Sequence, residues 1–541
     1  IGSAIEALEA SFDPVAPEKS FLELAAVRQM MLDRIDASSG QADPWIRFSL
    51  IEVEDLLLQL TGTVVDLRTP RATFASGEEV RMVARLIQRR PGSFFDRALL
   101  FASGVPVPKE LDRSEGWNRP AEIEASFEAL PIHPIHQPYW LARPFGTLYD
   151  PEGTGYLGIE PETASYWRGG FAFSGGDLGK QLDAIGPLQH VWVERVLGER
   201  SRPAALTPIA SLRPLDTVMV VAGDRVSVEV EIEALASVID GSLGVEAPEG
   251  WRVATEPYPV EGLAKGSRAR YAFEIERSPA ASVGAARFVF TSDEQRVDTT
   301  MNVIDYSHIT PQVWYSPAEV RLAPVNVDVS VARVGYVNGA GDDVPRALRR
   351  LGIEVDLIDP AAAEPEELAR FDAIMVGIRA YNAVPEMARL QPYLMDYVAA
   401  GGTVVAQYNT ASRDMVIDPS RIGPKPFALT RGRVTVEEAP ATFLLPEHPL
   451  LNVPNRLTQA DFDGWVQERG LYFASDLDEA YSAPIAWNDP GESPLSGALI
   501  ACDHGEGRFI YTGISLFRQL PAGVPGAYRL LANLLARREA R

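Results

Sequence analysis

The sequence predicts a chain of several domains, α+β and α/β in class: a helical linker, two β-sandwich modules and a C-terminal open parallel α/β sheet. Three observations carry this. The 541 residues, at about 100–200 per domain, make three or four domains. Apolar residues recur at helical spacing over residues 1–60, alternate with polar ones in short runs through 61–306, and change pattern again from 307, where strand-like and helix-like runs take turns. Pro (42) and Gly (43) are spread along the chain, as short strands joined by many turns require.

Residues 1–60 read as the linker. Ser20 stands where a helix cap belongs, and Phe21, Leu24, Val27, Met31 and Ile35 follow at helical spacing. Ser38, Ser39 and Gly40 break the run. Asp43-Pro44 restarts it, with Pro at the first helical position, where its missing N–H costs nothing. The second helix carries Trp45, Phe48, Ile51, Leu56 and Leu60. Such a pair is too small for a core of its own and must pack on a neighbour.

Thr63–Leu67, Glu79–Ile87 and Arg97–Phe101 read as short strands, with Tyr156–Ile159 and Gly169–Phe173 closing a first sandwich over 61–190 that holds loop insertions. A second, Ig-like sandwich is expected over 191–306. It rests on strict alternation in Val226–Ile232, Arg270–Ile275 and Ala286–Phe290, and on a turn at Ala247–Gly250 that leads into Trp251.

From 307 to 541 the pattern is that of a parallel sheet with helices on both faces. Strands are expected at Ala332–Val337, Val355–Ile358, Ala373–Ile378 and Thr403–Gln407. The helices between them are Asp343–Leu351, closed by Gly352, then Pro365–Arg370 and Val384–Ala400. Ala498–Ala501 and Arg508–Thr512 form a hairpin around His504–Gly507, and a last helix spans about Pro525–Arg537.

Bulk properties exclude some functions. A net charge of −24 gains nothing from counterion release on a phosphate backbone, so nucleic acid is not an expected partner, and anionic lipid is disfavoured likewise. Cys502 is the only cysteine, which rules out an internal disulfide and a cysteine-based metal cluster. No run of about 18 apolar residues exists to span a membrane as a helix. The chain begins Ile-Gly-Ser and reads as a processed or truncated product; any targeting signal would lie upstream.

Four long strings stand out near the C-terminus: Phe371-Asp-Ala-Ile-Met-Val-Gly-Ile-Arg-Ala-Tyr-Asn382, Tyr397-Val-Ala-Ala-Gly-Gly-Thr-Val-Val-Ala-Gln-Tyr-Asn-Thr410, Gln459-Ala-Asp-Phe-Asp-Gly-Trp-Val-Gln-Glu-Arg-Gly470 and Phe517-Arg-Gln-Leu-Pro-Ala-Gly-Val-Pro-Gly-Ala-Tyr528. Together with Gln137-Pro-Tyr-Trp-Leu141 and Phe12-Asp-Pro, they make the chain resemble the C-terminal region of large bacterial PIG-L-type deacetylases. The resemblance implies a helical linker, β-sandwich modules and a terminal amidotransferase-like (flavodoxin-like) domain, and it favours the periplasm or the cell exterior. The zinc motif of that family, of the type Ala-His-Pro-Asp-Asp-Glu, does not occur: Ile135 follows His133-Pro134, and Leu450 follows His448-Pro449. Deacetylase activity therefore carries over to no residue of this chain.

Catalytic residues, metals and cofactors are accordingly not expected. Enzymes on an amidotransferase-like fold place a cysteine on a tight strand-to-helix turn; here that turn reads Tyr408-Asn409-Thr410. Cys502 and His504 share one face of a late strand, where a cysteine is ordinarily a small buried apolar residue. Gly335–Gly341 opens a helix but lacks nucleotide-binding spacing; Asp342 and Asp343 would repel phosphate, and a tight strand-to-helix turn with Asp342 or Asp343 as cap fits better. His133 and His136 could pair on a metal, yet Pro134 opposes a helix there, and a loop packed on Tyr139 and Trp140 is the simpler reading. What remains is a polar cluster at the C-terminal ends of parallel strands, where open α/β sheets bind ligands: Arg379, Tyr381, Asn382, Gln407, Tyr408 and Asn409, joined by Asp461, Asp463, Trp465 and Arg518. The function expected is binding or scaffolding within a larger assembly, with protein partners, a membrane-protein complex or a carbohydrate. The alternative is a fragment of a zinc-dependent N-acetyl-sugar deacetylase whose catalytic domain lies upstream.

Overall fold

The computed structural model describes residues 1–37, 44–90, 97–102, 105–110, 118–129, 135–143, 168–174, 178, 181–293, 295–309, 311–412 and 415–538. The break at Ser38–Gly40, the cap Asp43, the strand Tyr156–Ile159 and His133 lie outside them. The chain is mixed α+β, with most strands in several curled sheets. Among the described residues no helix is long and apolar enough to cross a membrane.

The first β region differs from the expected sandwich. Its strands form one eight-stranded sheet, continuous through Leu182–Glu194. That 13-residue strand pairs antiparallel with Arg168–Ser174 through its first half and parallel with Thr63–Thr69 through Leu188, Gln189 and His190. Val80, Met82, Ala84 and Leu86 alternate inward along Glu79–Gln88. The layer that covers them includes the helical pair. Phe21, Leu24, Val27 and Met31 of Phe21–Ala37, and Val53, Leu57 and Leu60 of Pro44–Thr61, share one core with the sheet. The linker thus supplies part of a sheet's missing cover. Of the stripe expected on its second helix only Leu60 is buried; Trp45 (75%), Phe48, Ile51 (59%) and Leu56 are exposed.

The second sandwich has two facing sheets. One orders Ala210–Pro214, Arg225–Ala234, Arg268–Arg277 and Trp251–Val253; the other runs from Val218–Val221 through Glu319–Pro324, Gly284–Ser292 and Val238–Glu246 to Tyr258–Ala264. Val228, Val230, Ile232, Phe273 and Ile275 of the first meet Leu243, Phe288, Phe290 and Leu322 of the second. Outward, Glu231 lies in register with Arg270, and the pair closes to 2.9 Å. Sheet membership moves the limits expected at 190/191 and 306/307. Leu182–Glu194 and Gly198–Pro203 belong to the first sheet, and Glu319–Pro324 belongs to the sandwich.

The C-terminal sheet holds β1 (Arg333–Val337), β2 (Glu354–Ile358), β3 (Ala373–Val376), β4 (Thr403–Gln407), β5 (Tyr481–Ser482), β6 (Leu499–His504) and β7 (Gly507–Thr512), in the order β2-β1-β3-β4-β7-β6-β5. The first five in that order pair in parallel; β6 and β5 add an antiparallel edge. Successive residues face opposite sides. Ala373 and Met375 join one core with helices α1 (Val344–Arg350) and α4 (Pro525–Leu535), while Ile374 and Val376 join another with α2 (Pro365–Leu368) and α3 (Met387–Ala399). Both faces are therefore covered, as a buried parallel sheet requires.

Candidate functional site

In the order β2-β1-β3-β4-β7, the chain reverses direction across the sheet between β1 and β3. Open α/β sheets bind ligands in the crevice outside such a switch point. Here the crevice is filled by the chain itself. The carboxylate of Asp342, in the loop after β1, accepts hydrogen bonds from the Tyr336 hydroxyl (2.6 Å), the Val344 N–H (3.1 Å), the Ile378 N–H (3.2 Å) and the Gln407 side-chain amide (3.2 Å). Burial, with the adjacent Asp342 charge, pushes the Tyr336 phenol far up, so it stays a donor. The two loops touch: a Cβ on Gly339 would lie 2.1 Å from the Ile378 carbonyl oxygen. A carboxylate sits where a phosphate would have to sit, so the Gly335–Gly341 run makes a turn.

The turn after β4 is equally committed. Asn409 is fully buried; its Oδ1 accepts the Tyr381 N–H (3.0 Å), and its Nδ2 donates to the Gln407 carbonyl (2.9 Å). Asn382 pairs with Thr410 in both directions, Nδ2 to the carbonyl at 3.1 Å and Oδ1 from the N–H at 2.9 Å. The Tyr381 hydroxyl donates to Gln391 Oε1 in the core. Tyr381, Asn382, Gln407 and Asn409 are thus drawn together as predicted, but as structural hydrogen-bonding groups, and all except Asn382 are buried.

Of the other predicted residues, Arg379 and Arg518 reach the rim, and Tyr408, 8% exposed, packs beneath it. Arg379 is exposed, in the left-handed conformation (φ 54°), and its backbone N–H donates to the Tyr408 carbonyl at 2.8 Å. Left-handed backbone at a non-glycine residue is strained, and such strain gathers at ligand clamps. Tyr408 stacks on Tyr472 (ring centroids 5.8 Å apart, planes 8° apart) and leans on Phe517 at 5.2 Å. Tyr472 is itself left-handed, at φ 55°. Burial raises the Tyr408 phenol, against the opposing pull of the Arg379 and Arg518 charges. The Arg518 guanidinium lies 4.9 Å over the Phe517 ring and donates to the buried Glu468 at 2.9 Å. The rim is therefore two partly exposed rings, Tyr472 and Phe517, packed on the buried Tyr408 and flanked by two guanidiniums. Tyr472 and Phe517 escaped sequence reasoning: Phe517 adjoins Arg518 inside one of the long C-terminal strings, whereas nothing in the run Gly470-Leu471-Tyr472 signals its partner.

The remaining predicted residues do not join that rim cluster. Asp461 accepts the Thr458 N–H at 2.7 Å and pairs with Arg529 at 2.8 Å. Trp465 is buried against Phe462, with its indole N–H on the Asp461 carbonyl at 3.0 Å. Asp463 is exposed. Cys502 is buried in β6, and burial, with Asp503 nearby, pushes its thiol up, away from the thiolate a nucleophile needs. His136 Nδ1 accepts the Leu206 N–H at 3.0 Å, so that ring nitrogen braces the backbone. Among the described residues no three His, Cys, Asp or Glu side chains gather as a metal site would need.

No protein-family model matches the sequence, and no curated protein matches it. Among solved structures, a putative GMP synthase component from Thermoplasma acidophilum is similar over 38% of this chain and 94% of its own, at 8% identity and a TM-score of 0.27. The native alpha-2-macroglobulin of E. coli is similar over 49% of this chain and 17% of its own, at 12% identity and a TM-score of 0.19. A mutant alpha-2-macroglobulin of Salmonella matches 48% of this chain and 16% of its own, at 9% identity and a TM-score of 0.19.

Proposed function

We propose that this chain is a non-catalytic binding or scaffolding protein, a structural subunit of a larger assembly built on the accessory region of a PIG-L-type deacetylase. In this reading the C-terminal sheet is an amidotransferase-like domain, related to flavodoxin-like sheets by its strand order, and it has given up its nucleophile. One observation carries the reading: the turn after β4, where that nucleophile would stand, holds Tyr408 and Asn409, and Asn409 spends its side chain bracing Tyr381 and Gln407. A group so engaged has no reagent to offer. The aromatic and cationic rim around Tyr408 supports a ligand with flat apolar faces and polar edges, which a sugar ring provides. By resemblance the compartment is the periplasm or the cell exterior.

Two measurements test this. The purified chain should turn over no N-acetylated sugar with or without added zinc; zinc-dependent, chelator-sensitive hydrolysis would overturn the proposal. Titration with N-acetylated oligosaccharides should show saturable binding that weakens at least about tenfold in Tyr472→Ala, the scale expected when a stacked aromatic is lost at a binding hot spot. If no sugar binds, cross-linking in the native host should recover a protein partner at the Arg379 and Phe517 rim. Recovery of neither ligand nor partner there would count against this face.

A further inference from the structure

A second cluster lies away from that rim, where β6 and β7 join and the last helix ends. A cavity of about 540 Å³ is lined there by His448, Ser482, Asp503, Arg508, Arg537 and Arg538, among others. Arg508 Nε pairs with Asp503 at 3.2 Å, Arg538 Nε pairs with the same carboxylate at 3.3 Å, and Arg537 reaches Asp372 at 2.5 Å. Three guanidiniums thus meet two carboxylates, which leaves a positive charge in a chain whose net charge is −24.

Arg508 is the member with donors to spare. It is only 9% exposed, yet Asp503 satisfies its Nε alone, and its two terminal nitrogens make no hydrogen bond among the described residues. Those terminal nitrogens are not sealed from solvent, so they stand open to an acceptor that enters the cavity.

The His448 and Ser482 pair could suggest a hydrolase, but its polarity is wrong. His448 Nδ1 accepts the Leu450 N–H at 3.2 Å, so the ring proton sits on Nε2 and points at Ser482 Oγ, 2.9 Å away. The serine hydroxyl in turn donates to the Ala501 carbonyl at 3.2 Å. The histidine cannot take a proton from this serine, so the pair works as a donor chain on the cavity wall.

We propose that this cavity binds the oxyanion group, carboxylate or phosphate, of a small ligand, held by the terminal nitrogens of Arg508 with Arg538 beside it. Guanidinium nitrogens match two oxygens of either group in a plane, which is the strongest form of such recognition. The cavity has room for more than the anion itself.

The test is calorimetric titration of the full chain at low ionic strength with inorganic phosphate and, separately, with acetate, against a chloride control. Saturable binding of at least one is expected, weakened about tenfold or more in Arg508→Gln, since a charge-assisted hydrogen bond contributes about that much. Trp45→Ser, at an exposed site on the second helix of the linker, should bind as the unaltered chain does. Tighter acetate binding would point to a carboxylate ligand, and tighter phosphate binding to a phosphorylated one. If Arg508→Gln does not fold, Arg538→Gln carries the same expectation. No saturable heat with either anion, or full binding by a folded Arg508→Gln or Arg538→Gln, would overturn the assignment.

Discussion

The side-chain amide of Gln407, at the end of β4, donates to the carboxylate of Asp342, in the loop after β1, across 3.2 Å. That bond ties two strands that are not neighbours in the sheet, across the point where a ligand would otherwise enter. Asp342→Ala should therefore strand the buried Tyr336 hydroxyl and the Val344 and Ile378 N–H groups without that acceptor, and leave the Gln407 amide only its 3.4 Å contact to the Tyr336 hydroxyl. The expected loss is at least about 2 kcal/mol, since each orphaned buried donor costs roughly 1–3 kcal/mol. Urea unfolding of the C-terminal domain would measure it; an unmoved transition would show that the carboxylate is dispensable.

Gly339 makes the same point through space. A methyl group there would lie 2.1 Å from the Ile378 carbonyl, which is fixed backbone, so the loops after β1 and β3 must part. Gly339→Ala should lower stability by about 1–3 kcal/mol, as overpacking usually does, and raise hydrogen exchange at the Ile378 amide. Unchanged exchange would contradict the contact.

Acid should loosen the joint between the first β region and the sandwich. Glu78 is 9% exposed and accepts from Lys265 (3.1 Å), Ser237 (3.1 Å), Arg71 (3.3 Å) and the Ala75 N–H (2.9 Å). Burial works to raise its carboxyl, but the Ala75 N–H, Lys265 and Arg71 outweigh it and hold the group below its ordinary value of 4.5. A depressed carboxyl stabilises the fold fully above that ordinary value, and the contribution is lost as pH falls through the folded one. Thermal unfolding between pH 6 and pH 3 should show this slope in the native chain and a shallower one in Glu78→Gln. Equal slopes would remove Glu78 from the account.

Cys502 should resist alkylation in the folded chain at pH 8 and react fully once the chain is unfolded, because its thiol is 1% exposed and pushed up by burial. Rapid labelling of the native protein would reopen the case for a reactive thiol.

The helix Pro44–Thr61 gives the sharpest contrast between faces. Leu57 is fully buried and Trp45 is 75% exposed. Leu57→Ala should cost about 2–5 kcal/mol, as buried leucines do, while Trp45→Ser should change monomer stability by less than about 0.5 kcal/mol. Chemical denaturation of the two variants compares them directly, and equal losses would mean the faces are misassigned.

Much of the fold was legible in the residues, because hydrophobic period is local. Alternation at Val226–Ile232 and Arg270–Ile275 placed two strands of the sandwich that pair with each other. The run Thr403–Gln407 matched its strand end to end, and Gly352 took the left-handed position expected after a helix, at φ 78°. The polar residues at the ends of β3 and β4 were also found from sequence, since strand ends can be counted. Which of them would face outward could not be. Tyr381, Gln407 and Asn409 turned inward because Asn409 and Asp342 collect donors from segments 28 to 65 residues away.

Local pattern thus determined where many of the strands and helices lie and that the turn after β4 holds no cysteine. Tertiary packing decided the rest. Pro44–Thr61 is apolar on two sides, so period found Leu60 but otherwise selected the outer stripe, and only the sheet beneath it chose Val53 and Leu57. The same sheet turned the expected sandwich into a layer covered partly by helices. The physical reason is common to both: burial rewards whichever apolar face meets a complementary surface, and that surface is built from residues distant in the chain.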